Sequence, residues 1–345
     1  MTKLIIQIPC FNEEATLAET LRDIPREIEG VDKVEVLVVD DGSIDDTVAV
    51  AKENGADHIV QNGTNKGLAQ SFQRGLDACL RLGADIVVNT DGDNQYCGAD
   101  IPLLVAPILK GEADIVVGDR QTDAVEHFSP LKKSLQKIGS RTVAGLAGAD
   151  IADAVSGFRA ISRKAAMGMT VRSTFSYTTE TLIQAGRKNL TILSVPVRTN
   201  KVERPSRLFT SMSQFLSRTG RTMLRAYAMY EPLKIFLVLG VALMLAGTLP
   251  IARFIFHYFA GDGAGMIQSL ILGGVLFLMG GVCAMFALIA DLIAYNRQLL
   301  ELTLERVRKI EYALDEPREE KPNRRAFPAE KLREELSALK AHFGR

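Results

Sequence analysis

Asp91, Asp93 and Gln95 stand at alternate positions in the stretch VVNTDGDNQY, directly after an apolar run. Two carboxylates and a side-chain amide offer only oxygen ligands, the kind a hard divalent cation takes. The stretch begins like a calcium-binding EF-hand loop, but its sixth position is Tyr96 where glycine is needed, and its twelfth is Pro102 where glutamate is needed. An Asp-x-Asp at a strand end suits Mg²⁺ or Mn²⁺ instead. Such ions commonly keep one or two carboxylates and complete their shell with substrate phosphates. Three other polar turns have residues of similar use: Asn12-Glu13, Asp40-Asp41 and Asp119-Arg120.

These turns must be held by something rigid, and each follows an apolar run. LIIQIP precedes the first, VEVLVV the second, DIVVN the third and DIVVG the fourth, with HIVQN as one further run. Amphipathic patterns such as TLAETLRDIPREI and GLAQSFQRGLDACLRLG separate them. Uniformly apolar strands alternating with helices imply a mainly parallel sheet covered on both faces, and ligands of such sheets gather at the carboxyl ends of the strands. The first turn, IPCFNEEAT, is no Gly-x-Gly-x-x-Gly, and no Gly-x-x-x-x-Gly-Lys-Ser/Thr is present, so a dinucleotide fingerprint and a P-loop are excluded.

Composition limits the remaining classes. The 345 residues carry 41 basic and 41 acidic side chains, a balance that gives no pull toward nucleic acid. Cys10, Cys79, Cys97 and Cys283 lie far apart without Cys-x-x-Cys or Cys/His spacing. Scattered buried thiols are therefore expected, not a zinc site or a disulfide framework. MTKLIIQIP is too short an apolar run for a signal peptide.

Two later stretches lack charge altogether: 18 residues between Lys234 and Arg253, and 28 between Asp262 and Asp291. A bilayer needs roughly 20 apolar residues in helix, so both are expected to span it, at about 233–256 and 268–291. Basic residues flank the pair on the outside, and the loop from Phe256 to Gln268 has neither Lys nor Arg. The positive-inside rule then places the large preceding segment and both termini in the cytoplasm, as an integral protein of the cytoplasmic membrane. Just before the first span, Leu208, Met212, Phe215, Leu216, Met223 and Tyr227 recur at helical spacing, with Arg218, Arg221 and Arg225 on another face. This pattern fits an interfacial helix, the alternative being an ordinary amphipathic helix packed on the domain. After the spans, QLLELTLERVRKIEYAL reads as a cytosolic helix that offers a contact for a homo-oligomer, and DEPREEKPNRR as a solvated linker.

The segments IPCFNEE, VVDDGSIDDT, NKGLAQSFQRGL, TDGDNQ, GDR and SGFR, in this order, resemble the inverting family-two glycosyltransferases of the GT-A fold, over about residues 4 to 215. More narrowly the chain is similar to the polyprenyl-phosphate glycosyltransferases related to dolichol-phosphate mannose synthase, of which bacterial members carry two trailing spans. The resemblance implies a GT-A catalytic domain with a Rossmann-like α/β sheet at 1–206, an interfacial helix at 207–231, two transmembrane helices within 232–292 and a charged helical tail at 293–345. It implies a nucleotide-sugar donor (UDP- or GDP-linked), a polyprenyl phosphate acceptor and a Mg²⁺ or Mn²⁺ cofactor.

Position by position, Pro9, Phe11 and Glu13 match the first donor-binding turn and Asp41 the acid that meets the nucleotide base. Asp91 matches the acid near ribose and diphosphate, and Asp93 with Gln95 match the metal ligands. Arg120 matches a basic residue near the acceptor phosphate, and Arg159 an acceptor-side element whose plain alternative is an ion pair at a helix start. Asp91, Asp93 and Arg120 are thus the expected catalytic set. The chain departs from relatives in following its metal motif with Gln95-Tyr96-Cys97 where many have Gln-His-Pro. For the lipid phosphate, Lys132 and Gln136 are the best match, with Lys133 and Lys137 close by, and Lys201, Arg204 and Arg207 form a later basic group.

A phosphate nucleophile has a second pKa near about 6 and needs little help from a base. None of His58, His127, His257 and His342 lies in these motifs, and Glu180 is a candidate base or supporting acid. One competing reading is a processive polysaccharide synthase. Those carry a Gln-x-x-Arg-Trp motif, and this chain has no tryptophan. Another is a non-catalytic membrane scaffold on a degenerate transferase domain, against which the intact Asp91, Asp93 and Gln95 argue.

Overall fold

The computed structural model describes residues 1–121, 130–171, 177–200, 231–261 and 266–315, with the backbone alone described at 130–138, 309 and 312–315. Lys201, Arg204, Arg207 and nearly all of the expected interfacial helix lie outside these residues, as do the side chains of Lys132, Lys133 and Lys137.

The chain opens with β1 (Lys3–Cys10), α1 (Leu17–Asp23), β2 (Lys33–Asp40), α2 (Thr47–Glu53), β3 (His58–Gln61), α3 (Leu68–Arg81) and β4 (Ile86–Asn89). A short 3-10 turn at Gly98–Asp100 leads into α4 (Ile101–Leu109), followed by β5 (Ile115–Asp119) and α5 (Pro130–Ala147). Then come β6 (Arg159–Ser162), α6 (Arg163–Gly168), α7 (Tyr177–Arg187) and β7 (Ile192–Pro196). The seven strands form one sheet in the order β3-β2-β1-β4-β6-β5-β7. Within it β6 runs antiparallel to β4 and β5, while the other pairings are parallel. The mainly parallel α/β sheet expected from the apolar runs is therefore present.

Alternation along β1 divides the core. Ile5 joins Leu37, Val39, Phe72, Leu76 and Val87 on one face, while Leu4, Ile6 and Ile8 join Val36, Val38, Leu17 and Leu104 on the other. With both faces covered, the strands must be apolar throughout, which is why they read as continuous runs. The register sets Cys10 beside Asp40 and Gln7 beside Asn89, so the turns that leave β1, β2 and β4 open at the same edge.

After residue 230 the chain forms α8 (Pro232–Phe259) and α9 (Ile267–Asp315), each with an 18-residue stretch apolar enough to cross a membrane, of mean hydropathy 2.4 and 2.3. Glycines close this hairpin. A Cβ at Gly247 would lie 2.7 Å from Gly273 O, and one at Gly280 would lie 2.6 Å from Gly240 O. Backbones this close need small residues at the contact, the usual means of packing helices where no hydrophobic drive separates helix from lipid.

The second helix runs on past the expected end of the span near 291 and through QLLELTLERVRKIEYAL, itself an expected helix. It continues for 49 residues in all, because no glycine or proline interrupts the sequence between Gly281 and Pro317. Its distal part reaches the catalytic domain, where Lys188 Nζ meets Glu305 Oε2 at 3.0 Å and Arg81 Nη2 meets Glu311 Oε1 at 2.9 Å.

Candidate active site

The turns after β1 and β2 are laced together by their own polar side chains. Asn12 N donates to Ser43 Oγ (2.9 Å), Ile44 N to Asn12 Oδ1 (3.0 Å), Glu13 N to Thr47 Oγ1 (2.9 Å) and Glu14 N to Asp45 Oδ2 (3.2 Å). This accounts for the density of Asn, Ser, Thr and acidic residues here, which satisfy backbone groups that no strand neighbour reaches. Pro9 is buried at the end of β1, while the Phe11 ring next to it is 38% exposed.

Asp41 is buried and fully engaged within the protein. It accepts from Asn62 Nδ2 (2.7 Å), Lys66 N (2.9 Å) and Gly67 N (2.8 Å). The carboxylate thereby fixes the turn that starts α3, where Gly67 takes a φ of +90°. Its described contacts are thus within the protein, to Asn62 and to the turn that starts α3.

At the exit of β4 the buried Asn89 accepts from Gln7 Nε2 (3.0 Å) and donates to Gly157 O (2.8 Å) and Tyr177 Oη (2.9 Å). This floor carries Asp91. A Cβ at Gly157 would lie 3.2 Å from Asp91 Oδ1 and 2.8 Å from Tyr177 Oη, so only glycine lets that backbone rest against the carboxylate. Burial pushes Asp91 up to about 7, and the charges of Asp93 and Glu13 act in the same direction, against the opposing pull of Arg120 and Arg159. A divalent cation would favour the ionised form of this acid. Asp93 Oδ1 accepts from Gln95 N at 3.2 Å across Asn94, whose φ is +56°. Among the described residues no three His, Cys, Asp or Glu side chains form a metal cage. The donors at this turn, carboxylate and amide oxygens, are of the kind that leaves ligand positions for phosphate oxygens, and they fit Mg²⁺ or Mn²⁺.

Arg120 leaves β5 and forms a forked pair with Asp153, Nε to Oδ2 at 2.7 Å and Nη2 to Oδ1 at 3.1 Å. The side chains are 11% and 3% exposed. Asp153 Oδ1 also accepts from Val155 N and Ser156 N at 3.2 Å each, so the pair anchors the turn that leads to Gly157. Tyr96 completes the wall: its hydroxyl accepts from Gly157 N (3.1 Å) and its ring stacks on Phe158 at 4.9 Å.

Arg159 is held differently from the helix-start ion pair that was the plain reading. Its guanidinium donates to Ala154 O (2.9 Å), Ser156 O (2.8 Å), Thr178 O (2.7 Å) and Thr181 Oγ1 (3.0 Å). Burial pushes it down to about 10. It braces the 154–159 turn from inside the fold. Glu180 lies in the first turn of α7, where Gln184 Nε2 donates to it at 3.4 Å. His58 sits on β3 against Glu35 (2.8 Å) and His257 near the end of α8, while His127 and His342 fall outside the described residues.

The structure therefore brings Asp91, Asp93, Glu13 and Arg120 into one electrostatic neighbourhood, with Pro9 and Phe11 on the turn that carries Glu13. The motif reading missed Asp153, Gly157, Asn89, Tyr177 and Asn62. Of these, Gly157 lies within SGFR, Asn89 within VVNTDGDNQY and Asn62 at the end of HIVQN, whereas Asp153 lies in no segment the motifs marked.

Comparisons with known proteins fall on the same region. The model of "Glycosyl transferase family 2" matches residues 5–168. An uncharacterised protein of Methanocaldococcus jannaschii is 30% identical over 202 residues, covering 57% of this chain and 81% of that one. Glycosyltransferase AglJ of Haloferax volcanii is 29% identical over 313 residues, 89% of this chain and 96% of its own. A UDP-N-acetylglucosamine–dolichyl-phosphate N-acetylglucosaminyltransferase of Methanococcus voltae is 28% identical over 213 residues, 56% and 83% of the two chains. A crystal structure of glucosyl-3-phosphoglycerate synthase from Mycobacterium tuberculosis with Mn²⁺, UDP and phosphoglyceric acid aligns at a TM-score of 0.49 and 24% identity, over 64% of this chain and 79% of that one. The family match runs over the strands and turns that build the acidic edge of the sheet, and the chain belongs to glycosyl transferase family 2, a glycosyltransferase on the GT-A fold that its motifs led us to expect.

Proposed function

We propose that this glycosyltransferase moves a sugar from a UDP- or GDP-sugar to a polyprenyl monophosphate, with inversion and with Mg²⁺ or Mn²⁺, at the cytoplasmic face of the membrane. The product would be a lipid-linked sugar for cell-envelope glycan or lipid modification. The observation that carries the reading is the union, in one chain, of the Asp91–Arg120 cluster with two helices long enough to cross a bilayer. The M. voltae relative, named for a UDP-sugar donor and a dolichyl-phosphate acceptor, supports it.

In this reading Phe11, Pro9 and Glu13 border the donor, Asp41 shapes the base pocket through the Lys66–Gly67 turn, and Asp91 stands by ribose and diphosphate. Asp93 and Gln95 would hold the cation, which when bound supplies neutralising charge to the leaving diphosphate. The nucleophile is a phosphate oxygen already ionised near neutral pH, its second pKa being about 6. The protein's task is then to bring two anions together. Asp153 fixes the plane of the Arg120 guanidinium, whose positive charge lies close enough to act on Asp91. Arg120 with Lys132, Lys133, Lys137, Lys201, Arg204 and Arg207 seats the acceptor phosphate.

The test is a panel of labelled nucleotide sugars supplied to the purified protein in polyprenyl-phosphate vesicles with Mg²⁺ or Mn²⁺. Label is expected in the organic phase for one donor. Label released only as free sugar would remove the acceptor reading, and full transfer by Asp93→Ala would remove the metal assignment. For the orientation, a cysteine in the turn between α8 and α9 should react with an impermeant thiol reagent on intact cells, and one in the catalytic domain should not; the reverse pattern would overturn it.

A further inference from the structure

The turn that carries Asp93 and Gln95 is held from the far end of the domain. Beyond β7 the chain returns alongside it: Tyr96 and Thr199 form an antiparallel bridge, and Cys97 N donates to Arg198 O at 3.4 Å. Arg198 locks the end of this contact by donating from its backbone N (2.7 Å), Nε (3.0 Å) and Nη2 (2.6 Å) to the buried Asp100. The residue that faces the ligand turn itself is Asn200. Its backbone N donates to Gln95 O at 2.8 Å, and its Nδ2 lies 3.1 Å from Asn94 O, 3.3 Å from Asn94 Oδ1 and 3.4 Å from Tyr96 O.

The chemistry of that contact is specific. Asn94 is the single residue between the two proposed ligands, and its φ of +56° lies in the left-handed region. That conformation sets how far apart the side chains of Asp93 and Gln95 stand and which way they face. Asparagine enters this region more readily than other side chains, and hydrogen bonds from its surroundings then hold one conformation. Gln95 N spans the turn by donating to Asp93 Oδ1, and from outside the turn is held by the amide of Asn200, because the described acceptors around that amide are oxygens that only a donor satisfies.

We infer that Asn200 is a positioning residue for the divalent cation, acting through Asn94 to hold Asp93 and Gln95 in ligand geometry. The inference rests on the metal assignment made above. Residues that orient metal ligands typically alter affinity by about ten- to a hundredfold when removed. Nothing in the motif around residue 200 signals this, since its partners are over a hundred positions earlier in the chain.

The test is Mn²⁺ binding to the full-length protein in detergent, read from the electron paramagnetic resonance signal of free Mn²⁺, with and without UDP or GDP. Wild type, Asp93→Ala, Asn200→Ala and Asn200→Asp are compared, with metal-free thermal unfolding measured on each. Asp93→Ala should lose binding, and Asn200→Ala should weaken it about tenfold or more while its metal-free melting stays near that of wild type. Asn200→Asp keeps the shape but turns the donor into an acceptor, and it adds negative charge that by itself would tighten a cation. Weakening in this variant therefore supports the positioning role, and it provides the test if the alanine variant does not fold. Wild-type affinity in Asn200→Ala, or unchanged or tighter binding in Asn200→Asp, beside loss in Asp93→Ala, overturns the inference and leaves the metal assignment standing. Wild-type binding by Asp93→Ala overturns the assignment itself.

Discussion

Gly92 lies against Cys10 with no space for a side chain: a Cβ built at Gly92 would sit 2.8 Å from Cys10 Sγ and 3.5 Å from Glu13 Cγ. The same residue's carbonyl accepts from Thr16 Oγ1 at 2.8 Å, which ties the Asp91–Asp93 turn to the turn after β1. Gly92→Ala is expected to cost about 1–3 kcal/mol through overpacking and to displace the two acids. Cys10→Ala removes the sulfur and should restore part of both stability and transfer when combined with it. Thermal unfolding and turnover of the two single variants and the double variant check this, and strictly additive losses would show that the contact is not the cause.

Breaking the Arg120–Asp153 fork should be more damaging. Both groups are largely buried, so Asp153→Ala leaves a guanidinium without its carboxylate, an arrangement that costs about 3–5 kcal/mol. It also frees the turn before Gly157, whose amides at Val155 and Ser156 bond the same oxygen. Asp153→Asn keeps an acceptor and should fall between alanine and wild type in melting temperature. An alanine variant that melts with wild type would show the pair to be dispensable.

The elements that read clearly from sequence are those whose signal is local. Five strands and both apolar helices announce themselves as uninterrupted apolar runs, and the acidic turns follow directly from where those runs stop. β6 and β7 did not, because RAIS and ILSVP are short and their places come from distant pairing, Asn89 with Arg159 and Ile115 with Ile192. The same reason hides Asp153, Tyr177 and Asn200, which reach the site from 150–200 while the acids lie at 13–93. The second span and the helix at QLLELTLERVRKIEYAL, which read as two elements, are one helix because loss of hydropathy is not loss of helix. Without a glycine or proline the backbone continues past the last apolar span.

Glu35 gives a pH prediction away from the site. It receives Lys3 Nζ (2.8 Å), Lys33 Nζ (2.6 Å) and His58 Nε2 (2.8 Å). Burial alone would raise its pKa, but the hydrogen bonds from Lys3, Lys33 and His58 hold it down to about 2 from an ordinary 4.5. A depressed acid stabilises the fold above its unfolded value, and that stabilisation is lost as pH falls from about 4.5 toward 2. Glu35→Gln should therefore lower stability by about 1–3 kcal/mol at pH 7 and lose most of that deficit by pH 3. Equal deficits at both pH values would refute the charge-based account.

The distal half of α9 should behave as part of the catalytic domain. From Asp291, which ends the charge-free run, to Glu305 the helix rises about 20 Å at 1.5 Å per residue, and there it meets the domain. Glu305 pairs with Lys188 at 3.0 Å, Lys188 also donates to Gly168 O at 2.7 Å, and Arg308 reaches Met169 O and Asp77. Each contact alone is worth at most about 1 kcal/mol, so reversing one charge should shift the docked population roughly fivefold. Lys188→Glu is expected to raise amide hydrogen exchange across residues 300–311, and Lys188→Glu with Glu305→Lys to return it toward wild type. Exchange unaffected by the single reversal, or not recovered in the double, would show that α9 keeps its helix without leaning on the domain.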